Sequence, residues 1–234
     1  MISEKTFANQ FSNFWRETLP NLEPVTRSVN LGYSRISDPV RSRNAASRRD
    51  LISESGRRLF FKIWEKPGSE RAILLEEALL EAAKYLSDGS VEGEYGEFYC
   101  DDSEDIEINR LADWLTRYFD RPASSPARIR IPQFKGHGLI SSCSGDFEDD
   151  DCLIEMKYVS RNFRSHDIRQ VIVYSALKYF EDGARFRELR LINPFLGIEF
   201  VTNVDELIYS ASGVNSLQFF QRLSYAVSSG EISH

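Results

Sequence analysis

Residues 149–159 read DDDCLIEMKYV, an acidic run that enters a strand-like segment. Three aspartates give way to an apolar segment, and Glu155 and Lys157 stand inside that segment two positions apart. Along an extended strand the side chains alternate with a period of two, so Glu155 and Lys157 share one face while Ile154 and Met156 occupy the other. Just upstream, SGDF places Asp146 nine residues before Glu155, and the polar run between them is suited to a turn. A hairpin of that length returns Asp146 to the side of Glu155. Two carboxylates and an amine then converge, with Asp149, Asp150 or Asp151 in place of Asp146 if the register differs.

The segments that follow fit a sheet. SHDIRQVIVYSALKYFED (165–182) reads as a helix capped by Ser165, FRELRLINP (186–194) and LGIEFVTNV (196–204) read as strands, and NSLQFFQRLSYAVSS (215–229) as a closing helix. Between 128 and 147 the chain reads as strands broken at Gly136, Gly138 and Gly145, the first two marking a kink or a close backbone approach. Strands, a helix, further strands and a helix predict a mixed α/β sheet.

The first half reads differently. Phe7, Phe11, Phe14 and Trp15 recur at helical spacing and predict one amphipathic helix ending near Pro20. Residues 34–58 are polar, with six arginines between Arg41 and Arg58, and read either as an arm along a phosphate backbone or as a solvated loop. RLFFKIWEK (58–66) reads as a strand or short buried segment, and ERAILLEEALLEAAKYLS (70–87) as an amphipathic helix. A Gly-rich acidic loop spans 88–105, a second helix starts from an N-cap at Ser103, and RPASSPAR (121–128) reads as a linker. The boundary placed there separates a mainly helical region, 1–125, from a segment carrying chemistry, 126–234.

Composition sets bounds. The chain has 234 residues and a net charge of −7, with no apolar run of membrane-spanning length. Its start lacks the pattern of a signal peptide, so a soluble, cytoplasmic protein is expected. Cys100, Cys143 and Cys152 show no metal or disulfide spacing, and with only His137, His166 and His234 any metal would be held by oxygen. The acidity is local: residues 1–67 carry 12 Lys+Arg against 7 Asp+Glu, residues 68–128 carry 6 against 15. Arginine, at 22 of 29 basic residues, suits phosphate, so a nucleic acid partner stays open. Two close carboxylates call for a cation, and Mg²⁺ takes a few carboxylate or carbonyl oxygens and leaves the rest of its shell to water and phosphate. A lysine beside such an ion suits phosphodiester hydrolysis.

GDF, LIEMK nine residues on, and a helix with RQVIVY together resemble the PD-(D/E)XK nucleases, in particular the RecB-type, lambda-exonuclease-like branch with a QxxxY helix. The resemblance covers roughly residues 136–180. It implies a restriction-endonuclease-like mixed β-sheet core flanked by helices, with the helical N-terminal region as an extension for specificity or for a protein partner. It implies Mg²⁺ or Mn²⁺ held by Asp146, Glu155 and the Met156 carbonyl, Lys157 as catalytic lysine, and Gln170 and Tyr174 as the QxxxY pair. Arg161, Arg164 and Arg169, beside the implied metal, are candidates for phosphate contact. An upstream acidic ligand is expected from Glu77 or Glu81. The implied activity is metal-dependent hydrolysis of DNA, in defence or repair; the alternative is an inactive nuclease-fold subunit that binds nucleic acid or assembles with proteins.

Overall fold

A computed structural model describes residues 1–41, 44–88, 100–120 and 129–230. The linker at 121–128 with its domain boundary, most of the Gly-rich loop (89–99), Arg43 and His234 lie outside the described residues. The chain runs α1 (Glu4–Asn9), α2 (Ser12–Thr18), α3 (Leu22–Gly32), β1 (Ser34–Arg35), α4 (Arg49–Glu65), α5 (Arg71–Asp88) and α6 (Asp102–Phe119). It continues through β2 (Ile129–Arg130), β3 (Gln133–Phe134), β4 (Cys143–Ser144), β5 (Phe147–Asp149), β6 (Cys152–Met156), α7 (Ser165–Asp182), β7 (Glu188–Asn193), β8 (Ile198–Asn203), α8 (Val204–Ser212) and α9 (Ser216–Ser229).

The sheet is mixed, in the order β1-β8-β7-β6-β5-β2, with β6 and β7 parallel and the other neighbours antiparallel; β3 and β4 form a separate pair. Parallel β6 and β7 need a crossover, and α7 provides it. β6 is buried along its whole length, and its alternation feeds two cores. Leu153 joins Trp15, Val171 and Leu177 on one face, while Ile154 and Met156 join Ile52, Phe60 and Leu111 of α4 and α6 on the other. Packing thus crosses the 125/126 boundary on both faces, and β1 pairs with β8.

Four local expectations are corrected. The N-terminal aromatic stripe lies on two short helices, broken at Phe11 with φ 26°, because Phe7, Phe14 and Trp15 turn into one aromatic cluster. RLFFKIWEK is the second half of α4, and the arginine-rich stretch from 49 is its first half: Leu51, Ile52, Ser55 and Leu59 are buried at helical spacing. Gly56 has no Cβ, which would come within 2.7 Å of Leu111, so α4 packs tightly on α6. The N-cap of α6 is Asp101, two residues before Ser103, in a capping box with Glu104. The N-cap of α7 is Arg164 and not Ser165, which is the first helical residue, because Asp167 accepts the Arg164 backbone N–H at 2.8 Å. α8 was not anticipated. The Gly136–Gly138 pair does mark close backbone approach: a Cβ at Gly138 would lie 2.2 Å from the Val227 carbonyl. No helix among the described residues is long and apolar enough to cross a membrane.

Candidate active site

The β5–β6 register pairs Phe147 with Ile154, so Asp146 falls opposite Glu155 at the open end of the hairpin. One Asp146 carboxylate oxygen accepts the Met156 N–H at 2.8 Å, which ties the side chain to the end of β6. The same register puts Asp149 to Asp151 at the turn, away from Glu155. Lys157 Nζ donates to Glu155 Oε1 at 2.8 Å and to Gln170 Oε1 at 2.6 Å. Gln170 Nε2 in turn donates to the Tyr174 hydroxyl at 2.9 Å, and that hydroxyl donates to Glu4 Oε1 at 3.1 Å. The network runs from strand to crossover helix to the first turn of the chain.

These groups open on a cleft of about 200 Å³ lined by Asp146, Glu155, Met156, Lys157, Tyr158 and Tyr174, with Lys5 from α1, Asp50, Glu54 and Arg57 from α4, and Tyr85 from α5. Glu155 is buried, and its Oε2 has no hydrogen-bond partner among the described residues. Burial first, then repulsion from Asp146, push its carboxyl up to about 7, against the pull of Lys157. Partial desolvation pulls Lys5 down, but Glu155 and Asp146 outweigh it and hold its amine above the ordinary value. Burial and the Glu155 charge raise the Tyr174 hydroxyl well above its ordinary range, so it serves as a donor.

Arg57 is the buried cation of the site. Its guanidinium meets Glu54 at 2.8 Å and Asp146 Oδ1 at 3.7 Å. Burial would lower its pKa, but Glu54 and Asp146 more than offset that. Asp50 and Glu54 are thus upstream helical carboxylates that line the cleft, and Glu54 is held by Arg57. Glu77 and Glu81 instead pair with Lys62 at 3.1 and 2.7 Å, across the α4–α5 interface, and do not line it.

The three candidate phosphate-contact arginines lie outside the cleft lining. Arg161 binds Asp167 at 2.6 Å, and Asp167 stands 3.8 Å from Lys157, so Arg161 reaches the site through that carboxylate. The Arg164 side chain is exposed before α7. Arg169 donates to the Ala8 carbonyl at 3.3 Å and packs on the Trp15 ring.

The donor set suits a hard divalent cation. Two facing carboxylates, one with a buried unpartnered oxygen, and a strand-end carbonyl are oxygen donors of the kind Mg²⁺ takes. Among the described residues no group of three or more His, Cys, Asp or Glu is gathered to hold a metal, so such an ion would rely on one or two carboxylates, with water and substrate completing its shell.

Glu4, Lys5, Glu54 and Arg57 were missed in the sequence. Glu54 and Arg57 had a legible signal, helical spacing within ISESGRR, once residues 49–65 are read as a helix. Glu4 and Lys5 had none, since their partners lie some 140 to 170 positions away. No protein-family model and no curated protein matches this chain.

Proposed function

We propose that this chain is a metal-dependent nuclease of the PD-(D/E)XK kind that hydrolyses DNA phosphodiester bonds at the cleft beside the end of β6. One observation carries the reading: Asp146, Glu155 and Lys157 meet at one cleft, with Gln170 and Tyr174 hydrogen-bonded into the same network. The element order supports it. The antiparallel run β2–β5–β6, the crossover α7 and the parallel β7 follow the sequence expected of a restriction-endonuclease-like core.

Asp146, Glu155 and the Met156 carbonyl are the groups that would hold Mg²⁺ or Mn²⁺, and such an ion supplies a polarised phosphoryl oxygen, a more acidic water and charge neutralisation at the leaving oxygen. The chain's own residues do the positioning. Glu155, with its raised pKa, keeps its proton in part near neutrality until a cation favours the carboxylate. Lys157, held between Glu155 and Gln170, presents its ammonium to the attacking water and the phosphate. Glu4 fixes the Tyr174 hydroxyl, which fixes the Gln170 amide and so the Lys157 rotamer. The Arg57–Asp146 ion pair favours a second reading, an inactive nuclease-fold subunit, because a resident guanidinium already compensates one of the two acids.

Cleavage of linear and circular duplex DNA and of single strands, in Mg²⁺, Mn²⁺ or EDTA, separates the two. The nuclease reading predicts metal-dependent cutting that Lys157→Ala and Glu155→Ala abolish while remaining folded. No cutting by the wild type, or equal cutting by the variants, overturns it.

A further inference from the structure

We propose that a groove built by Arg41, Arg110 and Arg117 is a second anion surface, which holds the phosphate backbone of a nucleic acid beside the catalytic cleft. The groove encloses about 650 Å³. Its two acids are Asp38 and Asp113, and Asp113 is engaged by Arg71 at 2.7 Å. None of the three arginines has an ion-pair or hydrogen-bond partner among the described residues. By contrast, Arg48 is paired with Glu104 at 2.6 Å, and Arg71 with Asp113 at 2.7 Å. An arginine fork left without a carboxylate is suited to the oxygens of a phosphate.

Spacing and continuity select an extended polyanion. Arg110 and Arg117 lie seven residues apart on α6, on one face and about 10.5 Å apart along the axis. That distance spans about three phosphates of one strand at about 3.4 Å each. Arg41 and Arg110 also line an adjoining hollow with Glu107. Tyr158, in the wall of the cleft, donates to Glu107 at 2.6 Å and lies 3.2 Å from the carbonyl of Val40, which lines the arginine groove. The two surfaces therefore share a wall. The choice of nucleic acid over another polyanion rests on the nuclease reading; the anion surface itself does not need cleavage.

Fluorescence anisotropy on labelled duplex and single-stranded oligonucleotides, in EDTA across a salt series, tests it on the full chain. The double variant Arg110→Glu/Arg117→Glu should bind at least 10-fold more weakly, with a salt slope shallower by about two, as expected for two lost phosphate contacts. Arg222→Glu, on the exposed face of α9, should change affinity less than 3-fold and controls for a charge reversal away from the groove. Equal affinity and slope in the double variant overturn the proposal, as does no binding by the wild type at low salt. Preferential capture of a sulfated polysaccharide over DNA also overturns it. If the wild type never cuts DNA but the double variant still loses binding, the nuclease reading fails and the groove stands.

Discussion

The β5–β6 hairpin is acidic at both ends, and the ends differ in kind. At the turn, Asp150 and Asp151 are exposed; Asp150 takes a left-handed conformation at φ 53°, and Asp151 meets Arg187 only at 3.8 Å. At the open end, Asp146 and Glu155 face each other beside a buried arginine, a lysine held in two hydrogen bonds and a carboxylate oxygen with no partner. Density of negative charge is similar; desolvation is not. Water and salt screen exposed carboxylates, whereas buried ones must find a cation or a proton. At the open end that demand falls on Glu155, which is buried whole with a second acid opposite it.

Substitutions can break the contrast. The largest effect is expected from Lys157→Ala, which should lower cleavage by about 10³-fold, within the range for loss of a positioned proton-handling group. A turn variant, Asp149→Asn/Asp150→Asn/Asp151→Asn, should keep cleavage within about 3-fold of wild type; equal damage from both would erase the distinction. Arg57→Met should cost about 1–3 kcal/mol in urea unfolding, because it leaves the half-buried Asp146 without its counter-charge and Glu54 with Arg58 alone. A loss below 1 kcal/mol would mean that the open end is better solvated than its burial implies.

The pH dependence sharpens the same point. Glu155 rises from 4.5 to about 7, so between those values the folded chain keeps a proton that the unfolded chain has released. Stability should therefore be highest below pH 4.5 for this group, fall as pH rises through the window, and level off above 7, a loss of up to about 3 kcal/mol. Denaturant unfolding at pH 5 and pH 8 in EDTA should show that fall in the wild type and not in Glu155→Gln. A smaller effect is expected at Glu4→Gln: cleavage about 10-fold lower with KM unchanged, since the residue reaches Lys157 only through Tyr174 and Gln170. At the turn, Asp150→Gly should stabilise by about 0.5 kcal/mol by relieving the left-handed backbone, and leave the site untouched.

Much of the open end was legible because it is local. The period of two in LIEMK and the nine-residue return from Asp146 define the hairpin, and the four-residue spacing of Gln170 and Tyr174 places them on one helical face. The rest depends on contacts that no local pattern carries. α4 hid behind an arginine run and a continuous apolar stretch, so Glu54 and Arg57 could not be placed. α8 had its signal, Asn203 accepting from Asp205 and Glu206 N–H groups, but it follows β8 without a turn. Glu77 and Glu81 were plausible upstream ligands until the α4–α5 packing gave them Lys62. Arg161, Arg164 and Arg169 are near the site in sequence, yet Asp167 and Ala8 take up two of their guanidinia.

The most direct test of the account is Mn²⁺ binding, followed by titration calorimetry on the wild type, on Asp146→Asn and Glu155→Gln, and on the turn variant. One Mn²⁺ site that vanishes in both open-end variants and persists in the turn variant is the predicted result. Binding lost with the turn aspartates, or kept without Asp146 and Glu155, would contradict it.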